Sequence, residues 1–169
     1  MFFFLMDRGP PGSTLFPYPT LCRSGGHDVV MSPVSHLYLD YLQTGSPNEP
    51  PGRPAQVNLA KLYAFEPVPA ELAVDKRGHI LGLQANMFTE HTRSYARLQH
   101  NLFPRLAAVA ETGWSTPEQR DFRDFLARLP AQLQRYRAWG LAYAQTPFEV
   151  GVGQTDDRAA NTVTVSPAN

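Results

Sequence analysis

The sequence has little cysteine, no net charge and no long apolar run, and each shortage excludes a class of function. Its single cysteine, Cys22, leaves the rest of the chain without a thiol for a disulfide, a CxxC metal knuckle or a nucleophile. Fifteen Lys and Arg balance 15 Asp and Glu, so no field steers the chain toward nucleic acid or an anionic membrane. The opening apolar run, residues 2–6, is too short for a signal peptide or a membrane-spanning helix. We therefore expect neutral soluble partners, with no nucleic acid and no membrane.

Two short apolar segments are present, and both predict buried strands. The first is DVVMS (28–32), which Pro33 ends, and the second is HILGLQANMF (79–88), where Gly82 suggests a close backbone approach. Between them, GSPNEPPGRP (45–54) holds too much proline and glycine for regular structure and predicts a surface loop. NLAKLYAFEP (58–67) has the apolar spacing of a short amphipathic helix.

Two longer helices are predicted in the second half of the chain. One covers about 94–111 with a kink at Pro104, and the other begins at Thr116 with a capping box. The second helix should bend at Pro130 and end at Gly140. Its core-facing stripe consists of Phe122, Phe125, Leu126, Leu129, Leu133 and Tyr136.

The order of elements indicates an α/β fold with a parallel sheet, because strands alternate with helices. Two strands can neither close a barrel nor build a sheet covered on both faces. The pattern is therefore typical of the end of an α/β protein. From residue 146 the chain becomes polar, and TVTVSP (162–167) alternates like a strand, with nothing after it to pair with.

Candidate binding residues follow both predicted strands, where parallel α/β folds place their working side chains. Tyr38 and Asp40 follow the first strand, whereas Phe88 and Glu90 lie at the end of the second. Aromatic faces pack on sugar C–H groups, and carboxylates accept hydrogen bonds from hydroxyls. This combination predicts a site for a neutral polyhydroxylated ligand. No glycine-rich loop opens a helix as a phosphate site would require.

Structural roles compete with this reading at every position. Tyr38 and Asp40 could serve packing and a turn, and Glu90 could be solvated surface. The pairs His36 with Asp40 and Glu90 with His91 lack a third metal ligand, so we expect no metal and no other cofactor.

Other polar and aromatic residues are expected to have structural roles. No nucleophile elbow accompanies Ser35, His36 and Asp40, so they predict no triad. Glu111 and Trp114 are expected to pack at a helix end, and a further pair at helical spacing, Tyr136 and Trp139, to lie in the core.

Five blocks together resemble, in order and spacing, the β-N-acetylhexosaminidases of glycoside hydrolase family 20. They are VVMSPVSHLYLDYLQ, LAKLYAFEPVPAEL, LGLQANMFTEH, LFPRLAAVAETGWS and YRAWGLAYA, and they extend from about residue 28 to about 150. The resemblance implies the last two β/α units, a C-terminal fragment, of a (β/α)₈ TIM barrel. DVVMS would be the seventh barrel strand and HILGLQANMF the eighth.

The resemblance also implies a chemistry and roles for residues. The family removes terminal N-acetylglucosamine or N-acetylgalactosamine with retention, using the sugar's acetamido group as nucleophile. Tyr38 matches the tyrosine that binds the acetamido carbonyl, and Asp40 and Glu90 match carboxylates that bind sugar hydroxyls. Phe88 stands where the family usually has Trp, which keeps an apolar wall but loses the indole N–H. The family's Asp-Glu acid/base pair is absent from this sequence, so the chain alone is expected to be inactive.

The resemblance divides the chain into three parts. Residues 25–145 would be the C-terminal part of the catalytic barrel, and 146–169 the start of a β-rich segment. Residues 1–24 contain LFPYPTLCRS, which resembles a translated sequencing-library adapter, so we predict an artefactual, unstructured leader. The family is often periplasmic or secreted, but this sequence assigns no compartment and no oligomeric state. The expected partners are glycans that contain N-acetylhexosamine.

Two other readings remain open at this point. The chain could be a non-catalytic carbohydrate-binding or scaffold module that reuses barrel segments, for which it would need a self-sufficient core. Another family of barrel glycosidases is a weaker alternative, because the YLDY and QANMFTEH blocks occur together.

Overall fold

The computed structural model describes residues 27–148, 150–154 and 163–167, so the predicted leader lies outside the described residues. Three short 3₁₀ turns accompany the strands and helices, at Val74–His79, Pro117–Gln119 and Thr146–Phe148. The strands are β1 (Val29–Met31), β2 (Tyr41–Leu42), β3 (Arg53–Gln56), β4 (Ile80–Leu83), β5 (Val150–Gln154) and β6 (Val163–Pro167). The helices are α1 (Val34–Leu37), α2 (Leu59–Tyr63), α3 (Tyr95–Leu102), α4 (Arg105–Trp114) and α5 (Phe122–Ala138).

The two predicted strands exist and pair in parallel, as β1 and β4. They are shorter than predicted and are not fully buried, because Val30 is 50% and Leu81 65% exposed. Side chains alternate across a strand, and Leu83 packs against the core while Leu81 faces outward. Among the described residues this sheet has two strands, so its second face stays open.

Gly82 is explained by its backbone conformation and not by a close approach. Its φ is 152°, a value that residues with a side chain rarely adopt, and a Cβ built there would meet nothing within 4 Å. The predicted loop 45–54 is irregular up to Gly52. Its last residues, however, enter β3, which pairs in parallel with β2.

A hydrophobic core joins the helices to the segment that follows β1. Helix α2 begins where Asn58 Oδ1 accepts a hydrogen bond from the Lys61 N–H over 2.8 Å, and its apolar side faces α4. Tyr63 donates to Glu111 over 2.8 Å, and burial, with this bond, raises the pKa of Tyr63 to about 12. The buried core residues are Leu37, Leu39, Val57, Leu59, Leu62, Tyr63, Ala108, Phe125, Leu129, Leu133 and Tyr136.

The prediction of one kinked helix over 94–111 is wrong. Two helices, α3 and α4, separate at Phe103 and Pro104, because proline has no N–H for the helical ladder and disfavours helical conformation in the residue before it. Glu111 packs against its neighbours as expected. Trp114, by contrast, is 92% exposed.

The capping box of the last helix forms, but at a separate turn. Thr116 and Gln119 close the 3₁₀ turn, whereas α5 begins at Asp121, whose carboxylate accepts bonds from two N–H groups of the first turn. Helix α5 continues through Pro130, and Gly140 lies past its end with a φ of 69°, as predicted for a helix stop.

The predicted stripe of α5 lies in or against the core. Tyr136 is buried as expected. Trp139, which was expected in the core, is 66% exposed because it follows the last residue of the helix and its side chain leaves the buried face.

The alternating segment TVTVSP does form a strand, and its partner precedes it. Strand β6 pairs antiparallel with β5, a partner that the sequence reading, which considered only residues after the segment, did not identify. The partner was missed because the sequence VGVGQ of β5 has glycine at alternate positions, which weakens a strand signal. No helix in the described part of the chain is long and apolar enough to cross a membrane.

Candidate functional site

The segments that follow β1 and β4 come together at one edge of the parallel sheet. The Leu39 N–H donates to the Asn86 carbonyl, and the Asn86 N–H donates to the Leu37 carbonyl, both over 2.8 Å. These bonds continue the pairing beyond the regular strands and place Tyr38 opposite Asn86. The carboxyl ends of parallel strands share an edge of the sheet, which is why residues far apart in sequence meet here.

The rings of Tyr38 and Phe88, two of the predicted binding residues, are in contact. The centroids of Tyr38 and Phe88 are 5.4 Å apart, and the ring planes are inclined by 42°, a favourable tilted arrangement. Phe88 is 44% exposed, so its ring is open to a ligand. The two positions lie 50 residues apart in the sequence, and the structure brings them together.

Asp40 is buried beside this wall and paired with a residue that the sequence did not single out. It is 2% exposed, and its Oδ2 accepts a hydrogen bond from Arg53 Nη1 over 2.9 Å. Its other oxygen, Oδ1, is enclosed and has no hydrogen-bond partner among the described residues. A buried carboxylate needs a compensating charge, and Arg53 supplies it.

Glu90 lies in the exposed turn after the second segment. The Thr92 N–H donates to the Thr89 carbonyl over 3.0 Å and closes this turn. The hydrogen bond that Arg53 donates to Asp40 raises the pKa of Arg53, and the charges of Tyr41, Asp40 and Glu90 add to this effect.

A fully buried arginine shapes the backbone on both sides of Asp40. Arg105, at the start of α4, has no exposed surface, and burial lowers its pKa to about 9, which leaves it charged at neutral pH. Its guanidinium donates to the backbone carbonyls of Leu39, Tyr41, Val57 and Asn101. Five N–H donors in a rigid fork can satisfy several carbonyls at once, and no other side chain has as many donors.

The loop that carries Arg53 is anchored at its middle. Glu49 is 3% exposed, and its Oε1 accepts a hydrogen bond from the Gln43 N–H and lies 3.3 Å from His100 Nε2 and 3.7 Å from Arg97 Nη2. Burial raises the pKa of Glu49, but hydrogen bonding and charge from His100, with Gln43 and Arg97, outweigh it and lower the pKa overall. The loop is therefore held against α3.

Other polar groups that the structure describes near the site are not arranged as a catalytic triad or a metal site. Ser35 Oγ lies 2.8 Å from His36 Nδ1, but Asp40 pairs with Arg53, so these residues are not arranged as a triad. Burial, with the charge of Lys61, lowers the pKa of His36. Within the described ranges no three His, Cys, Asp or Glu residues come together as metal ligands.

A wide groove lies on the helical side of the molecule, away from the predicted site. Its volume is about 750 Å³, and residues of α4 and α5 line much of it. None of the four predicted sugar-binding residues lines this groove.

Sequence and structure comparisons identify relatives. The family model described as glycosyl hydrolase family 20, catalytic domain, matches residues 19–117. The chain is 37% identical over 146 residues to a beta-hexosaminidase of Porphyromonas gingivalis, a match that covers 83% of this chain and 19% of the relative. The family match includes residues 19–24 of the predicted leader, whose boundary stays a prediction.

Solved structures are similar as well. The family 20 exo-beta-N-acetylglucosaminidase of Vibrio harveyi, crystallised with N-acetylglucosamine, matches with a TM-score of 0.70 at 34% identity over 78% of this chain and 21% of that one. The beta-N-acetylhexosaminidase of Streptomyces coelicolor matches with a TM-score of 0.65 at 28% identity over 75% and 26%. The chain thus spans about a fifth to a quarter of the length of these relatives. The resemblance of the five sequence blocks is confirmed, and this chain belongs to glycosyl hydrolase family 20.

Proposed function

We propose that this chain supplies part of the sugar site of a retaining exo-β-N-acetylhexosaminidase, as the last two β/α units of its (β/α)₈ barrel. In this arrangement β1 is the seventh barrel strand and β4 the eighth. The observation that carries the proposal is the contact between Tyr38 and Phe88 at the shared carboxyl edge of two parallel strands. The substrates are glycans that end in N-acetylglucosamine or N-acetylgalactosamine.

Each of the four residues has a role that its chemistry suits. The Tyr38 hydroxyl donates a hydrogen bond to the acetamido carbonyl and holds its oxygen toward the anomeric carbon. Phe88 packs against the apolar face of the sugar. Asp40 and Glu90 accept hydrogen bonds from the hydroxyls at the far side of the ring. The acetamido group is thereby oriented before reaction, which lowers the entropic cost of attack.

The complete reaction needs a carboxylate pair in addition to these residues. The acetamido oxygen bonds to the anomeric carbon while the glycosidic C–O bond breaks, and an acidic Glu protonates the departing oxygen. An Asp stabilises the positive charge on the oxazolinium ion. Water, deprotonated by the same Glu, then attacks the anomeric carbon and restores the acetamide. No residue of this chain is assigned to that pair, so we expect the 169-residue chain to bind sugar without hydrolysing it.

Binding by the purified chain tests the proposal. We expect N-acetylglucosamine to bind more tightly than glucose, which lacks the acetamido group. Tyr38→Phe should weaken the binding of N-acetylglucosamine about tenfold, because one hydrogen bond is worth about 1.4 kcal/mol, and should leave the binding of glucose unchanged. Tyr95→Phe, at an exposed tyrosine on α3, is the matched control. Equal affinity for the two sugars would contradict the proposal.

Hydrolysis is tested separately with a chromogenic N-acetylglucosaminide. The chain should give no turnover, whereas a longer in-frame product that contains an Asp-Glu block should release the chromophore. Turnover by the purified 169-residue chain would refute the assignment of the acid/base pair outside it. A folded longer product without turnover would refute the proposed activity.

A non-catalytic module is the second candidate, and one observation favours it. Helices α2, α4 and α5 share a continuous core with the segment after β1, and Arg105 is satisfied within that core. A chain with such a core can be stable by itself. A folded longer product that binds sugar without turnover would favour the module. Insolubility or non-cooperative unfolding of the purified chain would favour a fragment that depends on the rest of a barrel.

A further inference from the structure

We propose that Arg53 contacts the sugar directly and donates a hydrogen bond to one of its hydroxyls, and that Asp40 acts in part by holding Arg53 in place. This inference rests on the proposed function and deepens it by adding a specificity residue. Arg53 was not among the residues that the sequence selected.

The burial of the two partners supports this division of roles. The Asp40 side chain is 2% exposed and the Arg53 side chain 37%, so the guanidinium is the outward group of the pair. A ligand that approaches from solvent meets Arg53 before it meets the carboxylate. The ion pair at 2.9 Å fixes one nitrogen of the guanidinium and leaves other N–H groups for a ligand.

Two further contacts hold the guanidinium in one place. Its central carbon lies 4.5 Å from the centroid of the Tyr41 ring, which is within the range of a cation–π contact. The loop before it is anchored where Glu49 meets His100 and Arg97. A donor that is already ordered loses little conformational entropy on binding, so its hydrogen bond contributes more to affinity.

The chemistry of the neighbouring groups selects a hydroxyl as the ligand atom. Ionised Asp40 and Glu90 only accept hydrogen bonds, whereas a sugar hydroxyl both donates and accepts. A hydroxyl that donates a hydrogen bond to a carboxylate can accept a second hydrogen bond at its oxygen, and Arg53 is the donor beside Asp40. An anionic substituent fits poorly, because the Asp40 carboxylate already pairs with this guanidinium over 2.9 Å.

Monodeoxy sugars test whether the contact exists. We would measure, by NMR titration of the full chain, the Kd of N-acetylglucosamine and of its 3-, 4- and 6-deoxy analogues. Arg53→Gln should raise the Kd of N-acetylglucosamine, the parent sugar, about tenfold, as expected for the loss of one hydrogen bond to a charged group. One deoxy analogue should bind the wild type and Arg53→Gln equally, because it lacks the hydroxyl that Arg53 binds.

Two variants separate this role from a purely structural one. Arg53→Lys keeps a charged donor and should recover part of the affinity. Arg123→Gln, at an exposed arginine on α5, should leave every Kd unchanged. Amide spectra that overlay outside the loop show that each variant is folded.

The possible failures are distinguishable. If Arg53→Gln binds the parent sugar as the wild type does, or weakens all analogues equally, the inference is wrong and the proposed function stands. If the wild type gives the amide spectrum of a folded chain and binds none of the sugars, the proposed function is wrong and the inference falls with it.

Discussion

Apolar residues are buried on the helical side of the molecule and exposed on the open face of its parallel sheet and just beyond it. On the helical side Leu129 is 2% exposed and shares a continuous core. At the sheet, Leu81 is 65% exposed and Phe88 44% exposed. The comparison teaches that the packed core lies in the helices and the segment after β1, while Phe88, one of the proposed binding residues, lies where the apolar surface is open.

Arg105 joins the two regions, so its removal should have the largest effect. Arg105→Met leaves backbone carbonyls on both sides of Asp40 without donors in a dry interior, and we expect a loss of about 3–5 kcal/mol in the free energy of unfolding. Urea unfolding measures this loss. Arg105→Lys, which keeps the charge but not the fork of donors, should recover part of it. A loss below about 1 kcal/mol for Arg105→Met would contradict this role.

A matched pair of leucines tests the contrast directly. Leu129→Ala should cost about 2–5 kcal/mol, because it opens a cavity in a packed core. Leu81→Ala, the same change on the open face of β4, should alter the free energy of unfolding by about 0.5 kcal/mol or less. Denaturant unfolding of both variants gives the comparison. Equal costs at the two positions would show that the sheet face is covered in solution.

The N-cap of α2 sharpens the picture of the helical side. Asn58→Ala removes the acceptor of the Lys61 N–H and should cost about 1 kcal/mol of unfolding free energy. Asn58→Asp keeps an acceptor and should cost a few tenths at most. Thermal unfolding at neutral pH measures both, and an unaffected Asn58→Ala would mean that α2 is held by packing alone.

The anchor of the Arg53 loop should produce a small effect that depends on pH. The folded-state pKa of Glu49 is lowered below 4.5, so its contribution to stability is present above that value and is lost as the pH falls through the folded pKa. Glu49→Gln should remove this part of the acid sensitivity, seen by unfolding between about pH 3 and pH 6. The control Glu71→Gln, at an exposed residue, should keep the wild-type profile, and identical profiles for all three proteins would contradict the role of Glu49.

The predictable parts of the fold are those where one local rule decides the outcome. Parallel strands bring their carboxyl ends together, and this rule alone placed Tyr38 next to Phe88. Gly140 ended α5 because a left-handed residue stops a helix.

The parts that were missed depend on contacts with no local signal. Arg53 begins β3 at the end of a proline-rich segment, where no periodicity marks a residue that will meet Asp40. The burial of Arg105 could not be predicted from its residue type, because arginine is almost never fully buried unless its donors are satisfied.

The most direct test of the central claim is where N-acetylglucosamine binds on the chain. Amide chemical shifts recorded during a titration would locate it. We expect the shifts to be concentrated around Tyr38, Arg53, Phe88 and Glu90, and the amides of α5 to stay unchanged. Shifts confined to the groove beside α4 and α5, with none at the sheet edge, would contradict the account.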